Sequence, residues 1–288
     1  MDLRTLLEKF SEGQLTIDEV QKQITIGSIQ QVNNNLAQLD FNREIRKEVP
    51  EVIFAKGKQY GDILQIITAG LKRNGQLVVS KIHRKDLHKL CYALRKKRNI
   101  ILEVGKKSST ILITDKTYPA RKSHAKIGIL AAGTSDIGIA EEARLMSKAM
   151  GCVSVLGYDI GIAGMHRLFP AIEQMISENV EAIVVVAGME GALASVVSSM
   201  VNIPVIGVPT SVGYGFGSGG FAALASMLQS CTFGLAVVNI DNGIGAGAFA
   251  ALISNRMARK GLKNSLTTRI SQSGAKYDNN NASKKLTR

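Results

Sequence analysis

Two stretches of the chain, KIGILAAGTSD at residues 126–136 and AIVVVAGMEG at residues 182–191, decide the fold. Each is an apolar run of strand length that opens into a glycine-containing turn and then into a helical pattern. Three more apolar runs, at residues 153–156, 205–208 and 235–240, alternate with helices in the same way. Apolar strands that alternate with helices form parallel sheets covered on both faces. The sequence therefore predicts an α/β fold with a doubly wound parallel sheet.

The rest of the chain divides around this sheet. A 3.6-residue apolar period with a capping-box pattern predicts that residues 1–48 are helical. After a break at Pro50, short strands and two helical patterns predict a small α+β domain over residues 49–118. The sheet domain is expected to span residues 125–258. Residues 261–288 are interpreted as a frayed, disordered basic tail.

The composition excludes several classes of protein. Of 288 residues, 45% are apolar, which is ample for a packed core and too many for a disordered chain. The cysteines Cys91, Cys152 and Cys231 show neither a disulfide framework nor CxxC metal spacing, and the first two are interpreted as packing residues. The first twelve residues lack the apolar core of a signal peptide. We therefore expect a reduced, cytoplasmic compartment.

The net charge of +13 is concentrated in two places. Residues 71–99 carry a net charge of +9 and residues 256–288 one of +8, whereas residues 121–255 carry −3. Nucleic-acid binding favours a basic face with aromatic residues between the charges, and these two basic stretches contain only Tyr92 and Tyr277. We interpret the charge as a solvated helix face and a solubilising tail, and do not expect nucleic acid as the main partner.

An uncharged segment at residues 213–240 is long enough to span a bilayer. Five of its first eight residues are glycine. Such a backbone could not satisfy its hydrogen bonds in lipid. The segment is therefore predicted to be a buried loop, helix and strand, and no membrane contact is expected.

The loops at the carboxyl ends of the strands are the predicted ligand site. In open parallel sheets, ligands bind beyond these ends. The five strands end at residues 133–136, 157–159, 188–191, 209–211 and 239–243, which are rich in small and hydroxyl residues. Backbone amides at helix N-termini bind anions. These loops favour a ligand that contains phosphate.

Several residues in these loops and near them have ordinary structural interpretations as well. Ser135-Asp136 is also typical of a helix N-cap, and Glu190 of an acid that complements a helix dipole. His166-Arg167 is open to interpretation as a surface pair, or as a site pair whose imidazole titrates near neutrality. Cys231, between a helix and a buried strand, is equally typical of an inert core thiol. The residues alone leave these alternatives open.

Longer motifs carry a resemblance to a known family. The domain from Gly133 to Met257 resembles the aminoimidazole ribonucleotide (AIR) carboxylases of purine biosynthesis. The resemblance rests on residues 133–136, 166–167, 187–188, 203–209 and 243–247. The chain departs from that family in three ways. It has Gly138 where the family has proline, an acid at Glu190, and a cysteine at Cys231.

These departures make the chain more similar to the LarB family, the carboxylases of nickel-pincer cofactor biosynthesis. The resemblance covers residues from about 39 to 257. It rests on the motifs at residues 39–46, 50–58, 133–143, 158–167, 186–192, 209–217, 231 and 239–243. It implies a flavodoxin-like three-layer sandwich for the second domain.

The LarB resemblance also implies a reaction. The pyridinium ring of nicotinic acid adenine dinucleotide is carboxylated with CO2 or bicarbonate, and the phosphoanhydride is hydrolysed. The products are AMP and pyridinium-3,5-biscarboxylic acid mononucleotide, in the first step toward the lactate racemase cofactor. A homo-oligomer, an octamer, with active sites near subunit interfaces is implied.

The resemblance then assigns roles to residues. Cys231 is expected to be the covalent nucleophile and Glu190 the base. Mg2+ is expected to bridge the phosphates, with Asp159 and Asp241 as possible ligands. The residues expected to bind substrate are Gly133, Thr134, Ser135, Asp136, Asp159, Gly164, His166, Arg167, Gly188, Met189 and Gly191.

Cys231 poses a geometric problem, because it precedes the fifth strand and thus lies toward the edge of the sheet opposite the predicted crevice. We expect a neighbouring subunit to bring it into the site. Two alternatives to this reading stay open. One is a plain AIR carboxylase or mutase. The other is a non-catalytic protein that senses dinucleotides or associates with RNA.

Overall fold

The computed structural model describes residues 3–26, 29–32, 37–40, 43–119 and 123–260. Over these residues the chain forms an N-terminal α+β region followed by a larger α/β region. The elements before residue 50 are α1 (Leu3–Ser11), α2 (Ile17–Ile26), β1 (Ile29–Val32), β2 (Ala37–Asp40) and α3 (Arg43–Lys47). The predicted tail at residues 261–288 lies outside the described residues.

The strands β1 and β2 form an antiparallel hairpin in which Val32 pairs with Ala37. The prediction that residues 1–48 are helical is therefore wrong over this hairpin. Val32 and Leu39 are buried in the core of the N-terminal region, and this tertiary contact outweighs the local helical pattern. The three asparagines at residues 33–35 are a turn signal that the helical interpretation overlooked.

The next part of the chain is a four-stranded mixed sheet with two helices. Its strand order is β3-β4-β6-β5, with the first pair parallel and the other two antiparallel. The strands and helices predicted between residues 49 and 118 are all present. The elements are β3 (Val52–Phe54), α4 (Tyr60–Asn74), β4 (Gln76–Ser80), α5 (Arg84–Arg95), β5 (Ile100–Val104) and β6 (Ile111–Asp115).

The α/β region is the predicted doubly wound parallel sheet. Its strands are β7 (Lys126–Ala131), β8 (Val153–Tyr158), β9 (Ile183–Ala187), β10 (Val205–Pro209) and β11 (Leu235–Val237). Its helices are α6 (Ile137–Ala149), α7 (Leu168–Ser177), α8 (Ala192–Met200), α9 (Phe221–Leu228) and α10 (residues 243–260). The fold is α/β and flavodoxin-like, as predicted.

The strand order, β11-β10-β9-β7-β8, determines where a ligand can bind. The chain leaves β7 toward one edge of the sheet to form β8 and then returns to place β9 on the other side of β7. The helices that follow β7 and β9 therefore lie on opposite faces, and their first turns separate. A crevice forms at such a switch point, beyond the carboxyl ends of these two strands.

The two regions share a core around α6. Val78 and Leu112 of the N-terminal sheet pack in the same buried cluster as Ile127 and Met146 of the α/β region. One face of α6 therefore contacts the N-terminal sheet, while another contacts the parallel sheet. The helix is buried on both sides, which explains why even its acidic residues are buried.

The last helix packs closely against α6 because it carries small residues where the two backbones meet. A β-carbon at Gly247 would clash with the backbone oxygen and α-carbon of Ala143. Ala246 and Ala250 are fully buried in the same contact. No side chain could rearrange to relieve such a clash, because its partner is backbone.

Substituting Gly247→Ala should therefore lower the free energy of unfolding by about 1–3 kcal/mol, the usual cost of overpacking a core. Urea denaturation measures the change. Gly61→Ala is the matched control, because a β-carbon there meets nothing within 4 Å. It lies in the first turn of α4, where alanine is the better helix former. An equal loss in both variants would contradict the packing argument.

The uncharged segment at residues 213–240 has the predicted loop, helix and strand, but the prediction that it is buried is wrong, because Phe216 and Phe233 are almost fully exposed. It forms a 3₁₀ turn (Gly215–Gly220), helix α9 and strand β11. Among the described residues, no helix combines the length and the apolar character needed to cross a bilayer.

Candidate active site

The loops after β7 and β9 face each other at the switch point. The first contains Gly133, Thr134, Ser135 and Asp136, and the second Gly188, Met189, Glu190 and Gly191. The structure thus brings together eight residues that were predicted for the site. Thr134, Ser135 and Glu190 are exposed here, whereas Asp136 and Gly188 are buried beneath them.

Asp136 connects the loops at this edge of the sheet. Its carboxylate accepts hydrogen bonds from the Thr210 hydroxyl at 2.7 Å and the Gly133 amide at 2.9 Å, and also from the Gly188 amide. It makes no side-chain cap to α6, although it occupies the N-cap position. The N-cap alternative therefore holds for the position of Asp136 in the chain but not for its carboxylate, which is bonded to the loops instead. Asp136 joins the loops after β7, β9 and β10 by hydrogen bonds.

The loop after β9 is fixed by backbone contacts with the loop after β10. The Met189 amide donates to the Val212 carbonyl at 2.8 Å. A β-carbon at Gly188 would clash with that same carbonyl and with the Thr210 hydroxyl. Only glycine allows the loops after β9 and β10 to approach this closely.

Backbone strain accumulates at the same edge. Asp159, Met189 and Asp241 follow β8, β9 and β11, and their φ angles are +61°, +53° and +56°. Residues other than glycine rarely adopt this left-handed backbone conformation. Those that do so cluster at functional sites. These backbone conformations favour the carboxyl edge of the sheet as the candidate functional site.

The remaining predicted binding residues lie one strand further along. The Arg167 guanidinium donates to the Asp159 carboxylate at 3.0 Å and covers the buried Gly164. His166 is exposed beside it, in the 3₁₀ turn Ile162–Arg167 that precedes α7. This loop adjoins the first one, because Gly161 packs against the backbone of Ala132. Arg167 and His166 thus flank the crevice on the β8 side.

Cys231 lies elsewhere. It is exposed in the loop between α9 and β11, at the amino end of β11 and therefore at the edge opposite the crevice. The interpretation of Cys231 as a buried core thiol is wrong. Cys91 and Cys152 are the buried ones, and burial raises the pKa of Cys152 to about 12.

Large apolar side chains are exposed along residues 214–233, from the loop after β10, which contacts Met189 at the carboxyl edge, to the Cys231 loop at the amino edge. Phe216 and Phe233 are 98% and 95% exposed. Tyr214, Phe221 and Leu228 on the same segment are also exposed. Leu228 and Phe233 lie next to Cys231 along the chain, and exposed large apolar side chains of this kind are typical of a surface that binds another protein molecule.

The comparison with known proteins bears on this arrangement. The family model described as AIR carboxylase matches residues 126–275, just over half of the chain. This chain belongs to the AIR carboxylase family. A second family model, LarB/PurE-like N-terminal domain, matches residues 30–115. An uncharacterized protein of Methanocaldococcus jannaschii is 47% identical over 258 residues, which cover 89% of this chain and 98% of that protein.

The two matched domains occur in the LarB order, as the sequence motifs predicted. The chain is therefore a carboxylase of the AIR carboxylase type with a LarB-type N-terminal domain. One departure from the purine enzymes now has a physical reason. A β-carbon at residue 138 would lie 2.7 Å from the Lys107 carbonyl oxygen, so the N-terminal domain packs where those enzymes carry proline.

The two acids predicted as Mg2+ ligands cannot share one ion within a chain of this carboxylase. Asp159 follows β8 and Asp241 follows β11, the two outermost strands of the sheet. The Asp241 amide donates to the Pro209 carbonyl at the end of β10, so three strand spacings of about 4.8 Å, roughly 14 Å in all, separate the two turns. Among the residues that the structure describes, no three His, Cys, Asp or Glu side chains form a cluster suited to a metal.

A single carboxylate remains compatible with Mg2+, which proteins commonly hold through one or two carboxylates and substrate phosphates. The surroundings of Asp241 fit this better than those of Asp159. Burial raises the pKa of Asp136 and of Glu142, and the charge of Asp241 raises both further. A cation beside Asp241 would relieve this repulsion, whereas Asp159 is already paired with Arg167.

Thr210 lies in the predicted ligand loop at residues 209–211 but was not among the predicted site residues. It is fully buried and donates to Asp136. Its position directly after an apolar strand, like that of Gly133 and Gly188, was the available signal. Glu142 and Lys81 were not predicted as site residues either, because an ion pair between residues in different domains leaves no local pattern in the sequence.

The buried carboxylate of Asp136 predicts a pH effect on stability. Because burial raises its pKa in the folded state, its contribution is complete at low pH and declines as pH rises through the raised value. Asp136→Asn does not titrate, so the variant should gain stability relative to wild type as pH rises from about 4 through the raised pKa of Asp136. Urea denaturation across this range measures the difference.

Asp115→Asn is the control of opposite sign. Hydrogen bonds from Thr117 lower the pKa of Asp115, so its contribution is lost as pH falls. This variant should lose stability relative to wild type as pH rises through the acid range. A constant difference between Asp136→Asn and wild type would show that Asp136 is not a buried titrating group.

Proposed function

We propose that this carboxylase acts on the pyridinium ring of nicotinic acid adenine dinucleotide and also hydrolyses its phosphoanhydride. The products would be AMP and pyridinium-3,5-biscarboxylic acid mononucleotide, in the first step of nickel-pincer cofactor biosynthesis. The observation that carries the proposal is an exposed thiol, Cys231, in a chain whose domains are those of LarB. An electron-rich aminoimidazole can attack CO2 unaided, so a purine carboxylase needs no such nucleophile.

The chemistry of the ring requires a nucleophile from the protein. A pyridinium is electron-poor and does not attack CO2. When the Cys231 thiolate adds to a ring carbon, a C–S bond forms and an electron pair moves onto nitrogen, which gives a neutral dihydropyridine. Its enamine carbon then forms a C–C bond to CO2, and the ring nitrogen becomes iminium again. The positive charge of the substrate itself favours the thiolate.

A base must then restore the aromatic ring. The newly carboxylated carbon loses its proton, the enamine re-forms, and the C–S bond breaks as thiolate leaves. Glu190 is our candidate for this base, because its carboxylate is exposed at the switch-point crevice. The thiolate is returned unchanged and the proton passes to solvent, so the sequence needs no oxidant or reductant.

The phosphates would bind at the loops that Asp136 joins. The first turn of α6 contains no acidic residue, and Thr134 and Ser135 are exposed in front of it. Helix N-termini of this kind bind anions. Arg167 and His166 supply further donors on the β8 side. Water then attacks one phosphorus and breaks the anhydride bond, with Mg2+, when bound, neutralising phosphate charge beside Asp241.

A second subunit would complete the site. Cys231 and Glu190 lie at opposite edges of the sheet within one chain, so the thiol cannot reach a ring beside Glu190. The exposed side chains of Phe233 and Leu228, next to Cys231 along the chain, would be covered in a homo-oligomer. We propose that the neighbouring copy contributes Cys231 to the crevice, in an octamer like that implied by the LarB resemblance.

The competing function is carboxylation of aminoimidazole ribonucleotide, which the match over residues 126–275 favours. Neither Cys231 nor the N-terminal domain is needed for that reaction. The two functions are separated by their products. Only the dinucleotide reaction releases AMP.

The deciding experiment incubates the full chain with nicotinic acid adenine dinucleotide, 13C-bicarbonate and Mg2+. Mass spectrometry should detect AMP and a mononucleotide that has gained one labelled carboxylate. A parallel incubation uses aminoimidazole ribonucleotide. Labelled product from the second substrate alone would replace our proposal with the purine reaction, and no product from either would remove both.

A further inference from the structure

The N-terminal domain reaches the carboxyl edge of the parallel sheet through two lysines: Lys107, whose ammonium donates to the Thr134 carbonyl at 3.5 Å, and Lys81, whose contacts are closer. Lys81, in the turn after β4, lies 2.9 Å from the Glu142 carboxylate of α6. Its ammonium also donates to the Asp241 backbone carbonyl at 2.9 Å. Asp241 follows β11 at the edge where the crevice lies. A residue outside the catalytic domain is thus fixed to one of its functional turns.

The partner of Lys81 is unusually buried for a carboxylate. Glu142 is 2% exposed, and Thr110 of the N-terminal domain approaches the same oxygen at 3.4 Å. The other oxygen, Oε2, is buried with no hydrogen-bond partner among the described residues. Burying a charge is unfavourable unless it is paired, so Glu142 depends on Lys81.

The backbone is strained on both sides of this contact. The φ angle of Lys81 is +55° and that of Asp241 is +56°. Neither residue is glycine, so the surrounding structure must hold both in this conformation. The strain is consistent with a contact whose geometry serves the site.

Hydrogen bonds continue from Asp241 into the crevice. Its carboxylate accepts from the Ser211 amide at 2.9 Å, and its own amide donates to the Pro209 carbonyl at 2.9 Å. Thr210, between these two residues, donates to Asp136, which holds the Gly133 and Gly188 amides. The contacts form an unbroken path from Lys81 to both loops at the switch point.

We propose that Lys81 is a positioning residue, through which the N-terminal domain holds the crevice loops in their ligand-binding geometry. It acts through Asp241 and Asp136 and need not touch substrate. The inference deepens the proposed function, since it assigns the N-terminal domain a part in the same reaction. That domain is then a component of the active site.

Replacing Lys81 alone would both leave Glu142 unpaired and remove the donor to the Asp241 carbonyl, so the test compares a single variant with a double variant. Lys81→Met leaves Glu142 buried without a counter-charge, which is destabilising in itself. Lys81→Met combined with Glu142→Met replaces the ion pair by apolar side chains of similar size, which is often neutral for stability. In both variants the Asp241 carbonyl has lost its donor. Lys81→Arg keeps both the charge and the donor.

We expect kcat/KM for the dinucleotide to fall about 100-fold in Lys81→Met and in the double variant, the usual effect of displacing a site by about 1 Å. Lys81→Arg should retain most of the wild-type kcat/KM. The matched control is Lys148→Met, which breaks another ion pair between the domains, with Glu103, but touches none of the crevice loops. It should keep wild-type turnover.

Hydrogen exchange gives a readout that does not depend on the substrate. The Ser211 and Asp241 amides should exchange at least about 10-fold faster in the double variant than in wild type, while β9 amides do not change. A stable double variant with wild-type exchange at Ser211 would overturn the role of Lys81. If wild type itself does not turn over the dinucleotide, the proposed function fails, and the exchange data still decide this inference.

Discussion

Replacing Cys231 by alanine should reduce turnover of nicotinic acid adenine dinucleotide at least about 1,000-fold, because the ring cannot become a carbon nucleophile without covalent addition. The KM for the dinucleotide should change little, since the phosphates bind at loops on the other edge of the sheet. Quantifying AMP and the carboxylated mononucleotide over time measures both constants.

Cys91→Ala is the matched control, because it removes a thiol that is buried in the N-terminal core. It should lose some stability but keep turnover. Intact-mass analysis of wild type quenched during turnover should show a dinucleotide adduct that is absent from Cys231→Ala. An alanine variant that retains full turnover would mean that the ring is activated without a covalent bond to this cysteine.

The sequence predicted the layered architecture well, because buried parallel strands appear in a sequence as short apolar runs. The run at 182–186, for example, appears as β9 at Ile183–Ala187. The fifth strand is shorter than predicted, Leu235–Val237 instead of 235–240, because the chain turns toward Asp241. The hairpin of β1 and β2 was missed because its strands are stabilised by contacts with distant residues and have little local pattern.

The roles of individual site residues were harder to predict. Asp136 had the pattern of an N-cap, and its true partner Thr210 is 74 positions away in the sequence. Glu142 and Lys81 are 61 positions apart, and only the docking of the two domains brings them together. Such pairs depend on the order of the strands and the packing of α6, which periodicity does not determine. Asp159 and Asp241 both follow strands, but the strand order places these strands, β8 and β11, at opposite edges of the sheet.

The position of Cys231 was predictable from chain order alone. A residue that immediately precedes a parallel strand must lie at the amino edge of the sheet, whereas Glu190, which follows one, must lie at the carboxyl edge. The structure adds that Cys231 is exposed and that Phe233, two residues further along the chain, is exposed as well. These facts make a composite site between subunits the simplest geometry in which both residues act on one ring.

Mixing two inactive variants tests this composite site and should produce the second large effect. Glu190→Gln should lower turnover by about 10²- to 10⁴-fold, as expected for loss of a general base. Cys231→Ala should be at least as slow. If each site takes Glu190 from one copy and Cys231 from its neighbour, a mixed interface contains one site with both residues intact. Random reassembly of equal amounts should therefore restore about one quarter of wild-type turnover.

The control for the mixture is the double variant that carries Cys231→Ala and Glu190→Gln. Mixed with either single variant, it can form no site with both residues intact, so turnover should stay at the level of the single variants. Reassembly is verified by mass spectrometry of the intact oligomers. Verified hetero-oligomers of the two single variants that remain inactive would place Cys231 and Glu190 in the same copy. The chain would then have to bring its two sheet edges together in some other way, and the exposed Phe233 beside Cys231 would need another partner.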